Sequence, residues 1–397
     1  MKKKRTLKTL RASVSAFTAL LLLVGTLIVP AMRITPDALT EESDGYITKL
    51  DKLVNYSQYL DNKVMFKLPD TVGADQDISV IITVDNPTVL DAYEKSAKTM
   101  SFTEYALYGD EAKEIKETVS EKKSALLGKL DKKGIAYLEG DEYSAVLCGF
   151  ELVIKGRDFE STCKALGKGM NVILGEEYEK CETKLVENEV NVFDTGIFDS
   201  SDSGYDGSGV VVAVLDTGLD SNHTAFSPSN FTSDKLGLTY EEVASVVNNT
   251  AASKLSSGIT VDDVYINEKV PFGYDYADND SDVYSTHNEH GTHVAGVIVG
   301  NDDTVRGVAP NAQLVAMKIF SDVMDTARSA WILSALEDCV VLGVDVINMS
   351  IGTSCGFSRE SDEEKLNGIY DRIRAAGISM VVAASNSYSS AYGSGER

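Results

Sequence analysis

Short, almost uninterrupted apolar runs recur through the second half of the chain, each followed by a stretch of helical periodicity. Residues 210–215, 313–319, 344–349 and 378–384 are rich in Val, Ile, Leu and Ala and read as strands. Between them, helices are predicted from about 290 to 299, from about 326 to 342 and from 361 to 376. The last opens on Ser361-Asp362-Glu363-Glu364, a capping-box pattern in which hydroxyl and carboxylate satisfy each other's backbone N–H, and Gly377 closes it. Strands that are apolar on both faces need helices on both faces. The pattern therefore predicts a doubly wound α/β domain around a parallel sheet, with functional groups outside the carboxyl ends of the strands.

The first half reads differently. Residues 78–84 form a β-rich run closed by Asp85-Asn86-Pro87, residues 103–130 have helical character, and 145–154 and 172–174 are further strands. Asp158 is placed to cap a short helix through Leu166. Strand, helix, strand, helix, strand with one apolar sheet face predicts a small α+β module. The boundaries that follow are a targeting segment at 1–31, a region at 32–183 with its compact module at about 77–180, a Ser/Asp/Gly-rich linker at 184–209, and the α/β domain at 210–397. Within the first segment, Lys2, Lys3, Lys4, Arg5, Lys8 and Arg11 precede an apolar run from about 16 to 29 and a small-residue Val29-Pro30-Ala31. That layout predicts a secretory signal peptide, with an uncleaved anchor as the alternative, and hence a secreted or cell-surface protein.

Composition narrows the partners. The formal net charge is −24, and it is −30 once the basic first 31 residues are set aside. Such a chain repels nucleic acid and anionic membrane surfaces, so the membrane enters only through the signal segment. Five cysteines without a C-x-x-C pair (Cys148, Cys163, Cys181, Cys339, Cys355) fit neither a disulfide scaffold nor a structural zinc site, and they read as reduced thiols.

The candidate chemistry lies at strand and helix ends. Asp216 closes the run 210–215 and is followed by Thr217-Gly218. A carboxylate there can accept the Nδ1–H of an imidazole and leave Nε2 as a base; the alternative is an aspartate that caps a turn. His290, 74 positions on, opens His290-Gly291-Thr292-His293-Val294-Ala295-Gly296 and is the candidate base. His293 reads as a buried structural histidine, because a zinc pair of the metalloprotease type needs spacing i, i+4 with an intervening Glu. Asn386, after the last strand, has an amide that could donate to an oxyanion. Asp275, Asp278, Asp280 and Asp282 crowd one loop, readable as oxygen ligands for Ca²⁺ or as a solvated acidic loop; no cofactor is otherwise called for. A phosphate loop is excluded, since Gly207-Ser208-Gly209 precedes its strand.

Carried by Asp216-Thr217-Gly218, the His290 block, Gly307-Val308-Ala309-Pro310 and Asn348-Met349-Ser350-Ile351-Gly352, residues from about 207 to 386 resemble the amino-terminal part of a subtilisin-type domain. The long stretch between Asp216 and His290 is most similar to the lactocepin-type cell-envelope proteinases. The resemblance implies a serine endopeptidase acting on an extended polypeptide through an acyl-enzyme. Asp216, His290 and Asn386 are then its catalytic groups, and Ser350, Ile351 and Gly352 an edge that pairs with substrate. It also makes the α+β module similar to the family's propeptide, lying in the cleft. The family's nucleophile sits in a Gly-Thr-Ser block after the asparagine. Ser387, Ser389, Ser390 and Ser394 lack that context, and Gly352-Thr353-Ser354 precedes Asn386. The expectation is therefore a portion of a peptidase that lacks its serine and is inactive alone. The alternative is a non-catalytic homologue that retains a peptide-binding edge.

Overall fold

A computed structural model describes residues 68, 72–180, 204–286, 288–324, 326–352 and 360–383; the side chains at 179–180 and 360–367 lie outside the description. The chain divides into two units, residues 1–65 and 66–397, and every described element belongs to the second. The signal-peptide, linker and Asn386 expectations fall outside the described residues, save for the last few linker positions from Gly204 on.

The module comprises β1 (Asp77–Val84), α1 (Val89–Lys95), α2 (Phe102–Tyr108), α3 (Asp110–Lys133), β2 (Tyr137–Tyr143), β3 (Gly149–Lys155), α4 (Phe159–Cys163) and β4 (Met170–Leu174). Its four-stranded antiparallel sheet has the order β2-β3-β1-β4. Along β1 the side chains alternate by strand geometry. Val80, Ile82 and Val84 enter the module's own core, while Ile81 enters a second core shared with the rest of the chain. The sheet thus has two apolar faces where the sequence predicts one. The long helical stretch is broken at Gly109, where a Cβ would meet the Tyr105 carbonyl at 2.6 Å. Beyond the break, α3 buries Ala112, Ile115, Val119, Leu126 and Leu130 at helical spacing. Asp158 makes no side-chain cap to α4.

After β5 (Glu177–Lys180) the chain enters the α/β body. This contains β6 (Val211–Asp216), α5 (Tyr240–Val246), α6 (Ala251–Leu255), α7 (Val261–Val264), β7 (Phe272–Asp275), α8 (His290–Val299), β8 (Gln313–Lys318), β9 (Ala327–Arg328), α9 (Ser329–Leu342), β10 (Val346–Met349), β11 (Ile351–Gly352), α10 (Glu360–Ala375) and β12 (Ser379–Val382). Five strands pair in parallel in the order β12-β10-β6-β8-β7, the doubly wound arrangement that the sequence predicts. Alternate residues of the central strands serve opposite faces. Ala213, Leu215, Val315 and Met317 pack toward α9, while Val212, Val214, Leu314 and Ala316 pack with Ala295 and Val299 of α8. Burial on both faces explains why these strands are apolar at every position between their ends. The fifth strand, β7, lies in the long stretch between Asp216 and His290.

Module and body share a continuous apolar core. Ile81, Leu90, Tyr143, Val146 and Leu147 of the module lie in the same cluster as Ile332, Leu336 and Val340 of α9. At its centre Glu337, 6% exposed, accepts the backbone N–H of Ser144 (3.0 Å), Ala145 (2.9 Å) and Val146 (2.6 Å). On α10, Arg372 Nε reaches Asp91 at 3.1 Å and its Nη1 donates to the Val146 carbonyl at 3.3 Å. Val146 is therefore held at both its N–H and its C=O.

Candidate active site

Asp216 is the last residue of β6 and is 1% exposed. Its Oδ1 accepts the Thr217 N–H at 2.7 Å and faces His290 Nδ1, also at 2.7 Å. Its Oδ2 is buried with no donor among the described residues. Residues 74 apart meet because the turn after β6 and the start of α8 are pressed together. Gly218 has φ +125, a conformation glycine adopts without steric cost. A Cβ on Gly291 would lie 2.3 Å from the Gly218 carbonyl oxygen, so no larger residue fits the crossing. Thr217 Oγ1 accepts the Gly291 N–H at 2.9 Å and donates to the Asn288 carbonyl at 3.3 Å. Asn288 Oδ1 accepts the His290 N–H at 3.0 Å, and Thr292 Oγ1 accepts the Asp220 N–H at 2.8 Å. The carboxylate and imidazole are thus fixed from both sides by bonds to the backbone. With Nδ1–H donated to Asp216, His290 Nε2 is left as a proton acceptor.

A second feature is a slot filled by the chain itself. Strand β5 lies between β11 and β9 as the middle of a three-stranded antiparallel sheet. Lys180 pairs with Ile351 and Glu179 with Gly352; on the other side Tyr178 pairs with Ala327 and Glu177 with Arg328. Ser329, at the start of α9, takes hold of the next residue's backbone. Its Oγ accepts the Glu176 N–H at 3.0 Å and its N–H donates to the Glu176 carbonyl at 3.1 Å. Ser350, between β10 and β11, receives the Asn348 side-chain amide at 3.1 Å.

The acidic loop is organised around a lysine. The Nζ of Lys318, 1% exposed at the end of β8, contacts Asp275, lies 3.7 Å from Asp278 and is 3.1 Å from Asp322. Burial pushes the Asp275 carboxyl up to about 6 despite that ammonium. Asp280 and Asp282 instead accept loop N–H groups, from Asp282 and Tyr284. The four aspartates do not converge on one point, and among the described residues no group of three or more His, Cys, Asp or Glu is arranged to hold a metal. The calcium reading gives way to an internal ammonium.

Residues 207–395 match the model of the subtilase family. That likeness spans 189 of the chain's 397 residues. Among relatives, a PII-type proteinase of Lactococcus lactis subsp. cremoris is 33% identical over 259 residues, covering 62% of this chain and 12% of the relative. A C5a peptidase of Streptococcus pyogenes is 33% identical over 190 residues, 45% of this chain and 15% of the relative. The chain thus spans only a small part of these proteins' length. Among solved structures, fervidolysin from Fervidobacterium pennivorans, a keratinolytic enzyme related to subtilisin, is 16% identical with a TM-score of 0.44, over 82% of this chain and 42% of that one.

Within the subtilase segment, the structure brings Asp216 and His290 together and places Ile351 and Gly352 in the slot; Asn386 lies outside the described residues. His293 departs from expectation. It is exposed and lines a cavity of about 690 Å³ with Asp220, His223, Glu289 and Arg306, because the packed side of α8 is the stripe of Gly291, Ala295 and Val299 and His293 lies round the helix from it. Sequence reasoning missed Thr217, Asn288 and Ser329 as positioning groups. Thr217 stood in the Asp-Thr-Gly motif, but its bond to Gly291 joins segments whose proximity the sequence does not show.

Proposed function

We propose that the chain carries the acid–base pair and substrate edge of a secreted serine endopeptidase, with its cleft filled by its own N-terminal module acting as a propeptide. The observation that carries this reading is the 2.7 Å contact between Asp216 and His290 Nδ1 at the carboxyl end of the parallel sheet. In the proposed cycle His290 Nε2 takes the proton of a serine hydroxyl outside the described residues as that oxygen attacks the peptide carbonyl. The imidazolium, stabilised by Asp216, then gives the proton to the leaving amine. Water then gives a proton to His290 as it attacks the ester of the acyl-enzyme, and the proton passes to the departing serine oxygen, releasing the acid product. Asn386 is assigned to the developing oxyanion, a role worth about 3 kcal/mol in the subtilisin case used to illustrate the principle. Ser350, Ile351 and Gly352 bind an extended polypeptide by strand addition. Support for the propeptide assignment is β5 itself, which supplies backbone partners to both edges of the slot.

The test is labelling of the native secreted product with a fluorophosphonate probe, followed by identification of the modified peptide. The expected result is one labelled serine, with labelling slowed at least about a hundredfold by His290→Ala and strongly by Asp216→Asn. Labelling that is absent, or indifferent to both substitutions, overturns the proposal.

A further inference from the structure

Strand β2 carries one carboxylate into the junction between module and body. Asp141 is 5% exposed, on a strand that packs against α9 and α6 of the body. Its Oδ1 accepts the Glu142 N–H at 2.8 Å, while its Oδ2 is buried with no donor among the described residues. Ser334 of α9 stands beside it, but that hydroxyl donates to the Ala330 carbonyl of its own helix at 3.1 Å. A carboxylate with one dry, unpaired oxygen is far costlier to bury than the neutral acid, whose own proton can be donated.

The surrounding charges do little to offset that cost. The Asp338 carboxyl of α9 lies close enough to repel Asp141, and in the module Glu142 and Glu151 add like charge. The buried Tyr143 spends its hydroxyl on the Ala330 carbonyl at 3.2 Å. From α6, Lys254 attracts Asp141, but its Nζ is bound to the Glu142 carbonyl at 3.2 Å. On α3, Lys123 is taken by Glu139 and Glu142, and Lys116 by the Ala106 carbonyl. Burial therefore raises the Asp141 carboxyl above its ordinary range, against the pull of Lys254 and of the Glu142 N–H.

We infer that seating of the module on α9 depends on a proton: Asp141 enters the junction as the neutral acid, and its ionisation as the medium turns neutral loosens the module from the helix. Away from α9, water solvates the carboxylate, so the loose state releases a proton that the seated state keeps. Seating is strongest below about pH 4, where both states hold the proton, and it weakens as pH rises through the raised value. Asp91, which meets Arg372 at the same junction, does not share this trend. Burial opposes its charge, but Thr88 and Arg372 hold its carboxyl below the usual range, so it stays ionised throughout. The proton dependence goes beyond the peptidase reading, and it holds whether or not the chain cleaves peptides.

Hydrogen exchange of the full chain between pH 5 and 8, divided by the intrinsic rate, reads the seating through the amides of Ser144, Ala145 and Val146. The amides of Val214 and Leu215 in the parallel sheet report the body. In the parent, protection at the junction relative to the sheet is expected to fall about tenfold or more across that range. Asp141→Asn keeps the shape without the charge and should hold the fall to under about threefold. Lys254→Gln removes the attraction on the ionised Asp141, so the fall should move to higher pH. A residue with only a packing role would change the level of protection and leave its pH dependence where it was. Junction protection that stays level or rises with pH in the parent overturns the inference. So does a parent-like slope in Asp141→Asn, or a Lys254→Gln transition that stays in place or moves down. If Asp141→Asn does not fold, the parent's slope and the direction of the Lys254→Gln shift decide.

Discussion

The N-terminal module is fastened to the α/β body at two places built on opposite plans. On the helical face, Glu337 and Arg372 bind Val146 and its two predecessors through side-chain hydrogen bonds in or near a shared apolar core. At the slot, β5 is held by backbone pairing to two-residue strands. The first contact is unforgiving, because a carboxylate in that core must find three N–H groups in one geometry. The second tolerates exchange, since any extended chain offers the same backbone groups. A module joined in this way can give up the slot while it stays docked on the helices.

Substitutions at the two places can break or sharpen that contrast. The largest effect is expected from Glu337→Ala, which strands three buried N–H groups and should cost about 3–5 kcal/mol in urea unfolding of the full chain. Glu337→Gln keeps an acceptor and should cost markedly less. Next is Asp338, which is fully buried and accepts from Ala251, Ala252 and the Tyr276 hydroxyl. Asp338→Ala should cost about 2–4 kcal/mol, again through unpaired buried donors. Asp338 also gives a pH signature. Burial pushes its carboxyl up to about 7 against those hydrogen bonds. Between about pH 4 and 7 the folded chain therefore keeps a proton that the unfolded chain has released, so this group's contribution falls as pH rises and is fully lost above about 7. The melting temperature of Asp338→Asn should vary less across that window than that of the parent; an unchanged pH profile would contradict the assignment.

Arg372→Ala should cost about 1 kcal/mol, as the pair with Asp91 is about 30% exposed on each side. Smallest is Ser329→Ala, at under about 1 kcal/mol, with faster exchange at the slot and little change in the global midpoint. If Ser329→Ala unfolds the chain as readily as Glu337→Ala, the two contacts are one cooperative unit and the contrast fails.

Where a stretch of chain is buried on both faces, its sequence declares it. Strands β6 and β8 were legible for that reason, and so was Asp216 at the end of the first. Strand β7 was not, because Pro271 and Gly273 interrupt its apolar pattern while Phe272 and Tyr274 are buried by the neighbouring stretch. Strand β2 reads Tyr-Leu-Glu-Gly-Asp-Glu-Tyr, and its polar residues make sense only beside Lys123, whose ammonium meets Glu139 at 3.0 Å and Glu142 at 3.2 Å. The His290 block gave the imidazole and its helix, but not the outward direction of His293. Nothing in the sequence around Glu337 marks the module's backbone that lies across it. Local pattern reports burial; it does not report which distant segment supplies a partner.

The loop around Lys318 has a consequence for where such a protein can work. Three carboxylates gather on an ammonium that is part of the polymer, so this positive partner can be neither washed out nor captured by a chelator. A loop clasped by a dissociable ion depends on the mineral content of the surrounding medium. This one has a cation built into its own sequence, so that part of its charge balance does not vary with the medium.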